Sequence, residues 1–318
     1  MDQALAHLLT PLTPLPGNGL PEGLKGATVT TRDGRKLRAA YAIPGSPRGT
    51  VVLVCGRGDF IERWFETIGD FIRRGFAVAT FDFRGQGGSQ RAYEDRYRDG
   101  VRHFSEYDDD FTSFMTQIVL PDCPPPFYAV GHSTGGLVLL RALERRTWFE
   151  RAVLSAPLIG VDVGIWPMPL VRFMCALFPK IGLGRLFLPG QSKRPLAPSN
   201  FAGNNLTSDR RRFLQATNTL AEQPDLGVGG PTFSWLNAAL RSLRHMQSHA
   251  ASVTFRAPIL VVVGGRDRVV DNEATRRFCN AASGVSLAVI PEARHEILFE
   301  RDSIREQFFA AFEAFTGA

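Results

Sequence analysis

The chain has 318 residues, 44% hydrophobic and 21% charged, a composition that excludes a disordered or collagen-like protein and allows one large α/β domain or a core with an insertion. Four cysteines, Cys55, Cys123, Cys175 and Cys279, lie far apart without a C-x-x-C pair, which excludes a zinc ribbon or a disulfide scaffold and suits a reducing compartment. The formal charge is +6, and segment 157–256 alone holds 11 Lys and Arg against 4 Asp and Glu; the excess therefore belongs to one segment, as a surface for anionic partners or as a solvated arginine-rich face.

Residues 1–27 read as an N-terminal extension. Their start, MDQALAHLLTPLTPLPGNGL, has no basic region and a short apolar run broken by prolines, so no secretory signal is expected. Residues 28–43 alternate around Asp33-Gly34, the pattern of a hairpin with a two-residue turn. Six apolar runs follow at 50–55, 76–82, 127–132, 152–157, 258–265 and 285–290. Continuous rather than alternating hydrophobicity marks them as parallel strands buried on both faces. Helical spacing appears at 104–118, after Ser133 and from Ile304 to Phe312. The fold class is α/β: an eight-stranded, mostly parallel sheet with helices on both faces. Alternation stops at 157–256, rich in proline, aromatics and arginine, with helical pieces near 168–178, 208–223 and 233–248. This segment is expected to be a helical cap inserted over the sheet edge, dividing a core of 28–156 and 257–318. Its apolar stretch 163–179 is interrupted by Pro167, Pro169 and Arg172, too short and broken for a membrane span.

Gly131-His132-Ser133-Thr134-Gly135 fits G-x-S-x-G between an apolar strand and an apolar helix, the context of a nucleophile elbow. Serine needs a base, and the base an orienting acid. Among six histidines, His295 sits just after the last strand, where a base reaches over the sheet edge. His132 is the variable residue beside the nucleophile, expected to point away. Asp267 ends the strand run in Gly264-Gly265-Arg266-Asp267, whereas Asp271 reads as a helix N-cap. Cys55-Gly56-Arg57-Gly58 follows another strand, and the backbone N–H groups of Arg57 and Thr134 are the natural pair of oxyanion donors. The loop Asp82 to Ser89 reads as architectural, with Arg84 tying loops together.

The order Ser133, Asp267, His295 is that of α/β-hydrolases. The blocks at 51–89, FYAVGHSTGG (127–136), NNLTSDRRRF (204–213), GGPTFSWLNAALRS (229–242) and EARHEILFERDSIREQF (292–308) resemble the α/β-hydrolase group of lysophospholipase L2, monoacylglycerol lipases and serine aminopeptidase S33-type hydrolases. Many relatives carry His-Gly-x-Gly where this chain has Cys55-Gly56-Arg57-Gly58, which leaves backbone donors intact but bears on loop geometry. The resemblance implies a serine carboxylic-ester hydrolase without metal or cofactor, most simply a lysophospholipase. Monoacylglycerol lipase or another carboxylesterase is the alternative; a serine aminopeptidase or a non-catalytic binding protein on the same fold stands further off.

Trp166, Phe173 and Phe178 are expected to line an acyl-chain tunnel, unless they form the cap's own core. Lys180, Arg185, Lys193 and Arg194 are expected to meet a phosphodiester head group or an anionic membrane. The expected partner is a small-molecule lipid ester, with peripheral contact at the inner face of the membrane from a cytoplasmic location. No recognition motif points to nucleic acid, and the sequence leaves the oligomeric state open.

Overall fold

The computed structural model describes residues 11–14, 17–162, 166–191, 195 and 201–318. Its strands are β1 (Lys25–Thr30), β2 (Lys36–Ala42), β3 (Thr50–Val54), β4 (Ala77–Phe81), β5 (Phe127–His132), β6 (Arg151–Ser155), β7 (Thr254–Gly264) and β8 (Ser283–Ile290). They form one eight-stranded sheet in the order β1-β2-β4-β3-β5-β6-β7-β8. β1–β2 and β2–β4 pair antiparallel, and all other neighbours pair parallel. The helices are α1 (Phe65–Arg73), α2 (Ser105–Phe114), α3 (Thr134–Leu143), α4 (Met168–Lys180), α5 (Arg210–Glu222), α6 (Phe233–His249), α7 (Asn272–Ala281) and α8 (Asp302–Thr316).

The central strands β3, β4, β5 and β6 are largely apolar because both of their faces are covered. Strand β8, at the edge of the sheet, stays largely open to solvent and is not buried on both faces as its apolar run at 285–290 suggests. Val52 and Val54 share a cluster with Phe111 of α2 and Leu137 of α3. Val51 and Leu53 share another with Phe71 of α1 and Phe308 of α8. Side chains alternate across a strand, so one apolar run feeds two cores. Helix α1 goes beyond the sequence expectation, although Phe65, Ile68 and Phe71 recur at helical spacing and are buried.

The structure differs from the sequence expectation at three places, and the first two have a physical cause. The hairpin loop has three residues, not two: Thr31 N–H bonds the Arg35 carbonyl at 2.8 Å, and Gly34 takes φ 80°, a bulged turn that needs the left-handed residue. The sheet starts at Lys25, before the expected boundary, and Asn18 and Leu24 are buried. Asn18 Nδ2 donates to the Glu62 carbonyl at 2.7 Å, which draws part of the presumed extension into the core. At the other boundary β7 begins at Thr254, ahead of residue 257. Helices α4, α5 and α6 all lie in the insert between β6 and β7, and Phe178 of α4 packs on Phe233 of α6 with ring centroids 4.4 Å apart.

Candidate active site

Ser133 joins β5 to α3 with φ 50° and ψ −115°, a conformation that costs a non-glycine residue of order 1–3 kcal/mol and persists only where the surroundings impose it. Its N–H bonds the Ser155 carbonyl at 3.1 Å, and its own carbonyl accepts the Leu158 N–H at 2.9 Å. The flanking glycines let the turn fit. A Cβ on Gly135 would stand 2.1 Å from the Val54 carbonyl oxygen, and one on Gly136 would stand 2.6 Å from Pro157 Cβ.

Gly264 and Gly265 do the same for the loop after β7. A Cβ at either would meet the Arg294 or Pro291 carbonyl oxygen at 2.4 or 2.5 Å, so the Asp267 loop and the His295 loop lie against each other. His295 Nδ1 is 2.7 Å from Asp267 Oδ2, with both side chains buried. Asp267 Oδ1 accepts the N–H groups of Val269 (2.7 Å) and Val270 (3.2 Å). Burial alone would raise the Asp267 pKa, but the bond and charge of His295, with these backbone donors, hold it below the usual carboxylate range. The carboxylate therefore keeps the proton of a neutral His295 on Nδ1, which leaves Nε2 as a free base. Asp271 instead caps α7, its Oδ1 accepting the Ala274 N–H at 2.9 Å.

Ser133 and His295 line one cavity of about 580 Å³, with no hydrogen bond between their side chains among the described residues. Such bonds are often loose before substrate binds. His132 does not point away as expected. It is buried, lines the same cavity and packs against His295 with ring centroids 4.9 Å apart.

Within the turn Gly56 to Asp59 after β3, one N–H is left without an acceptor among the described residues. Gly56 N–H is taken by Asp59 Oδ2 (2.8 Å), Gly58 N–H by Gln86 Oε1 (2.6 Å) and Asp59 N–H by the Gly56 carbonyl (3.4 Å). Arg57 and Thr134 N–H have no acceptor among the described residues, and both residues line the cavity. A Cβ on Gly56 would be 3.4 Å from Ser133 Cβ, so this loop lies directly beside the serine. Gln86 comes from the loop after β4, where Arg84 also ties Asp33, Glu106 and Asp110 together. Nothing in the local sequence marks Gln86 for its task.

Arg63 bridges Asp59 and Glu296, both at 2.5 Å, and so spans from the Gly56 loop to the neighbour of His295. The insert holds the histidine loop from above. Glu296 N–H bonds the Leu206 carbonyl (2.8 Å), Arg294 Nη1 the carbonyls of Asn204 and Thr207, and Thr207 Oγ1 the Phe299 carbonyl.

The rest of the cavity wall is largely apolar, with Trp166, Leu170, Met174, Leu188, Phe233 and Trp235. Of the three expected tunnel residues only Trp166 lines it. Phe173 is 63% exposed on the outer side of α4, and Phe178 is spent on Phe233. Periodicity showed α4 to be apolar but not which of its faces turns inward. The expected basic contacts are also displaced. Lys180 and Arg185 do not line the cavity, and Arg185 lies over Tyr93; Lys193 and Arg194 fall outside the described residues. Among the described residues the cations at the cavity are Arg57, paired with Asp99, and Arg63, paired with Asp59 and Glu296. No group of three or more His, Cys, Asp or Glu among the described residues is arranged to hold a metal.

A strained serine turn, a buried carboxylate–imidazole pair and a mixed sheet of this order define an α/β-hydrolase. A family model described as serine aminopeptidase, S33, matches residues 45–302, and the chain belongs to this family. It is 32% identical over 267 residues to lysophospholipase L2 of Escherichia coli (strain K12), covering 80% of this chain and 76% of that protein. It is 26% identical over 287 residues to a probable lysophospholipase L2 of Haemophilus influenzae, covering 88% and 89%. Its fold is similar to that of a soluble variant of monoglyceride lipase from Saccharomyces cerevisiae, solved with a substrate analog (TM-score 0.71, 18% identity, 96% and 98% of the two chains). The protein is an enzyme, a serine-type ester hydrolase.

Proposed function

We propose that the protein releases a fatty acid from a lysophospholipid through an acyl-enzyme, with the insert serving as its cap. The observation that carries this reading is the placement of Ser133, the His295–Asp267 pair and two unpartnered N–H groups around one largely apolar cavity. His295 Nε2 takes the Ser133 proton as Oγ attacks the ester carbonyl, and the oxyanion is held by Arg57 and Thr134 N–H. Asp267 fixes the tautomer and stabilises the imidazolium. His295 then protonates the leaving alcohol, and water, deprotonated by the same imidazole, frees the acid. The cavity volume lies in the range that encloses small-molecule ligands, and its apolar side suits an acyl chain.

The lysophospholipid preference draws on the two relatives named lysophospholipase L2. Among the described residues the cations that line the cavity, Arg57 and Arg63, are paired with carboxylates and give no head-group argument, and monoacylglycerol is the second reading. Fatty-acid release from lysophosphatidylcholine, lysophosphatidylethanolamine and monoacylglycerol, measured side by side, separates them. Lysophospholipid turnover is expected to be fastest and to fall by several orders of magnitude in Ser133→Ala. Faster monoacylglycerol turnover moves the substrate to neutral lipids, and retained turnover in Ser133→Ala ends the serine mechanism.

The proposed setting is the cytoplasmic side of a membrane, touched peripherally. No helix among the described residues is long and apolar enough to cross it, and all four cysteines are free. Leu170, Phe173 and Leu177 form an exposed stripe along α4, continued by Ile181. Trp166 is half exposed where this stripe meets the cavity. Exposed Arg172 and Lys180 adjoin it, which favours an anionic lipid surface.

A further inference from the structure

Arg57 has a second role that its place in the loop does not announce. Its side chain leaves the Gly56–Gly58 loop for the seam under the insert. There Nε donates to Asp99 Oδ2 at 2.7 Å, and Nη2 reaches the carbonyls of Gly229 and Gly230 at 3.0 Å each. The guanidinium carbon lies 5.0 Å from the centre of the Trp235 ring. Asp99 is itself buried and also takes Thr232 Oγ1 at 3.4 Å, while that same hydroxyl oxygen accepts the Trp235 N–H at 3.2 Å and caps α6. A second chain of bonds runs in parallel. Gly58 N–H is held by Gln86 Oε1, Gln86 Nε2 donates to Tyr107 Oη at 3.0 Å, and Trp235 Nε1 donates to the same oxygen at 3.2 Å. Both routes begin in the loop beside Ser133 and end at Trp235, which with Pro231 and Phe233 walls the cavity.

We infer that Arg57 is a positioning residue that makes the turn 229–235 of the insert part of the oxyanion site: one buried guanidinium fixes the aim of its own N–H and the seat of the acyl-chain wall. Only a planar fork serves here, because three acceptors in two directions must be met at once. A lysine would supply a point charge to Asp99 and leave carbonyls unmet. Removing the fork frees the turn and the loop together. The donor then loses its aim, which affects the transition state. The wall moves back, which affects binding of long acyl chains alone.

This inference rests on the serine-hydrolase reading, so wild type and Ser133→Ala are assayed first. Turnover that survives in Ser133→Ala ends both; turnover lost there leaves Arg57 to be judged separately. Arg57→Gln and Arg57→Lys are then measured on p-nitrophenyl acetate and p-nitrophenyl decanoate. Rates are divided by active sites counted by fluorophosphonate labelling taken to completion, with Tm as a check on folding. In Arg57→Gln, kcat per labelled site is expected to fall about tenfold or more on both esters, KM to rise for decanoate and KM for acetate to stay unchanged. Arg57→Lys is expected to show the same pattern, more weakly, and it carries the test if the Gln variant does not fold. A merely structural arginine would reduce the number of labelled sites and leave kcat per site and both KM values alone; that result overturns the inference. Full rescue by lysine overturns it too, since charge for Asp99 would then suffice.

Discussion

His132 is packed between Trp64 and His295, with ring centroids 5.7 and 4.9 Å away. Its Nδ1 lies 3.2 Å from the Ser155 carbonyl, which only accepts, so Nδ1 carries the proton of a neutral ring. Burial first, and then the neighbouring His295, push its pKa down to about 3 from an ordinary 6.5. Below pH 6.5 the unfolded chain binds a proton that the folded chain refuses until about pH 3. Stability is therefore lost as pH falls through that window. His132→Asn, which does not titrate, is expected to flatten the dependence of Tm on pH between about 6.5 and 4. Equal slopes in wild type and variant would show that His132 is protonated in the fold. Gly135 sets a second test. An added Cβ meets the Val54 and Cys55 carbonyl oxygens at 2.1 and 2.5 Å, and backbone atoms of a central strand cannot step aside. Gly135→Ala is expected to destabilise by about 1–3 kcal/mol or more, and an unchanged Tm would contradict the close approach of α3 to β3.

Among the elements, the segment 294–300 depends on the insert more than on its own strand. Glu300 is fully buried. Its Oε1 accepts the Arg294 N–H at 3.0 Å, and its Oε2 accepts the Ser208 N–H at 2.9 Å and the Ser208 hydroxyl. Glu300→Ala takes the charged acceptor from these half-buried donors beside the His295 loop, and losing a hydrogen bond to a charged group costs about 1.5–3 kcal/mol. Both Tm and kcat are expected to drop. Asp302 is the control: it pairs with the same Arg212 that bonds the Glu300 carbonyl, but it is 80% exposed, and surface pairs contribute about 0–1 kcal/mol. Equal losses in Glu300→Ala and Asp302→Ala would place the support for the loop elsewhere. The contrast also explains what the sequence disclosed. Ser133, Asp267 and His295 each follow an apolar strand within a few residues, so their placement over one sheet edge was local information. Arg57 meets Gly229, Gln86 meets Gly58 and Glu300 meets Ser208 across 172, 28 and 92 positions, and no periodicity records such pairings. Phe173 and Phe178 failed as cavity residues for a related reason: α4 carries apolar side chains around most of its circumference, so composition could not assign its inner face.

For the whole molecule, the charge and the exposed apolar stripe lie in the same insert, with the sheet edge and Ser133 beneath it. A stripe of Leu170, Phe173 and Leu177 on a water-facing helix exposes apolar surface that burial in lipid would remove at roughly 25 cal/mol per Å². The insert's cations, Arg172 and Lys180 nearest the stripe, add an attraction that decays over about 8 Å at physiological salt. The two contributions respond differently to conditions. Sedimentation with phosphatidylglycerol-containing vesicles is expected to bring the protein down at low salt and progressively less as salt rises. Phosphatidylcholine vesicles should bind more weakly and with little dependence on salt. Phe173→Ser removes the most exposed ring on α4 without touching the cavity wall, so vesicle binding should weaken at every salt concentration while p-nitrophenyl acetate turnover stays at the wild-type rate. Wild-type binding in Phe173→Ser would take the α4 stripe out of the membrane contact. Binding equal on both vesicle types would leave the excess positive charge of the insert as a solvated face.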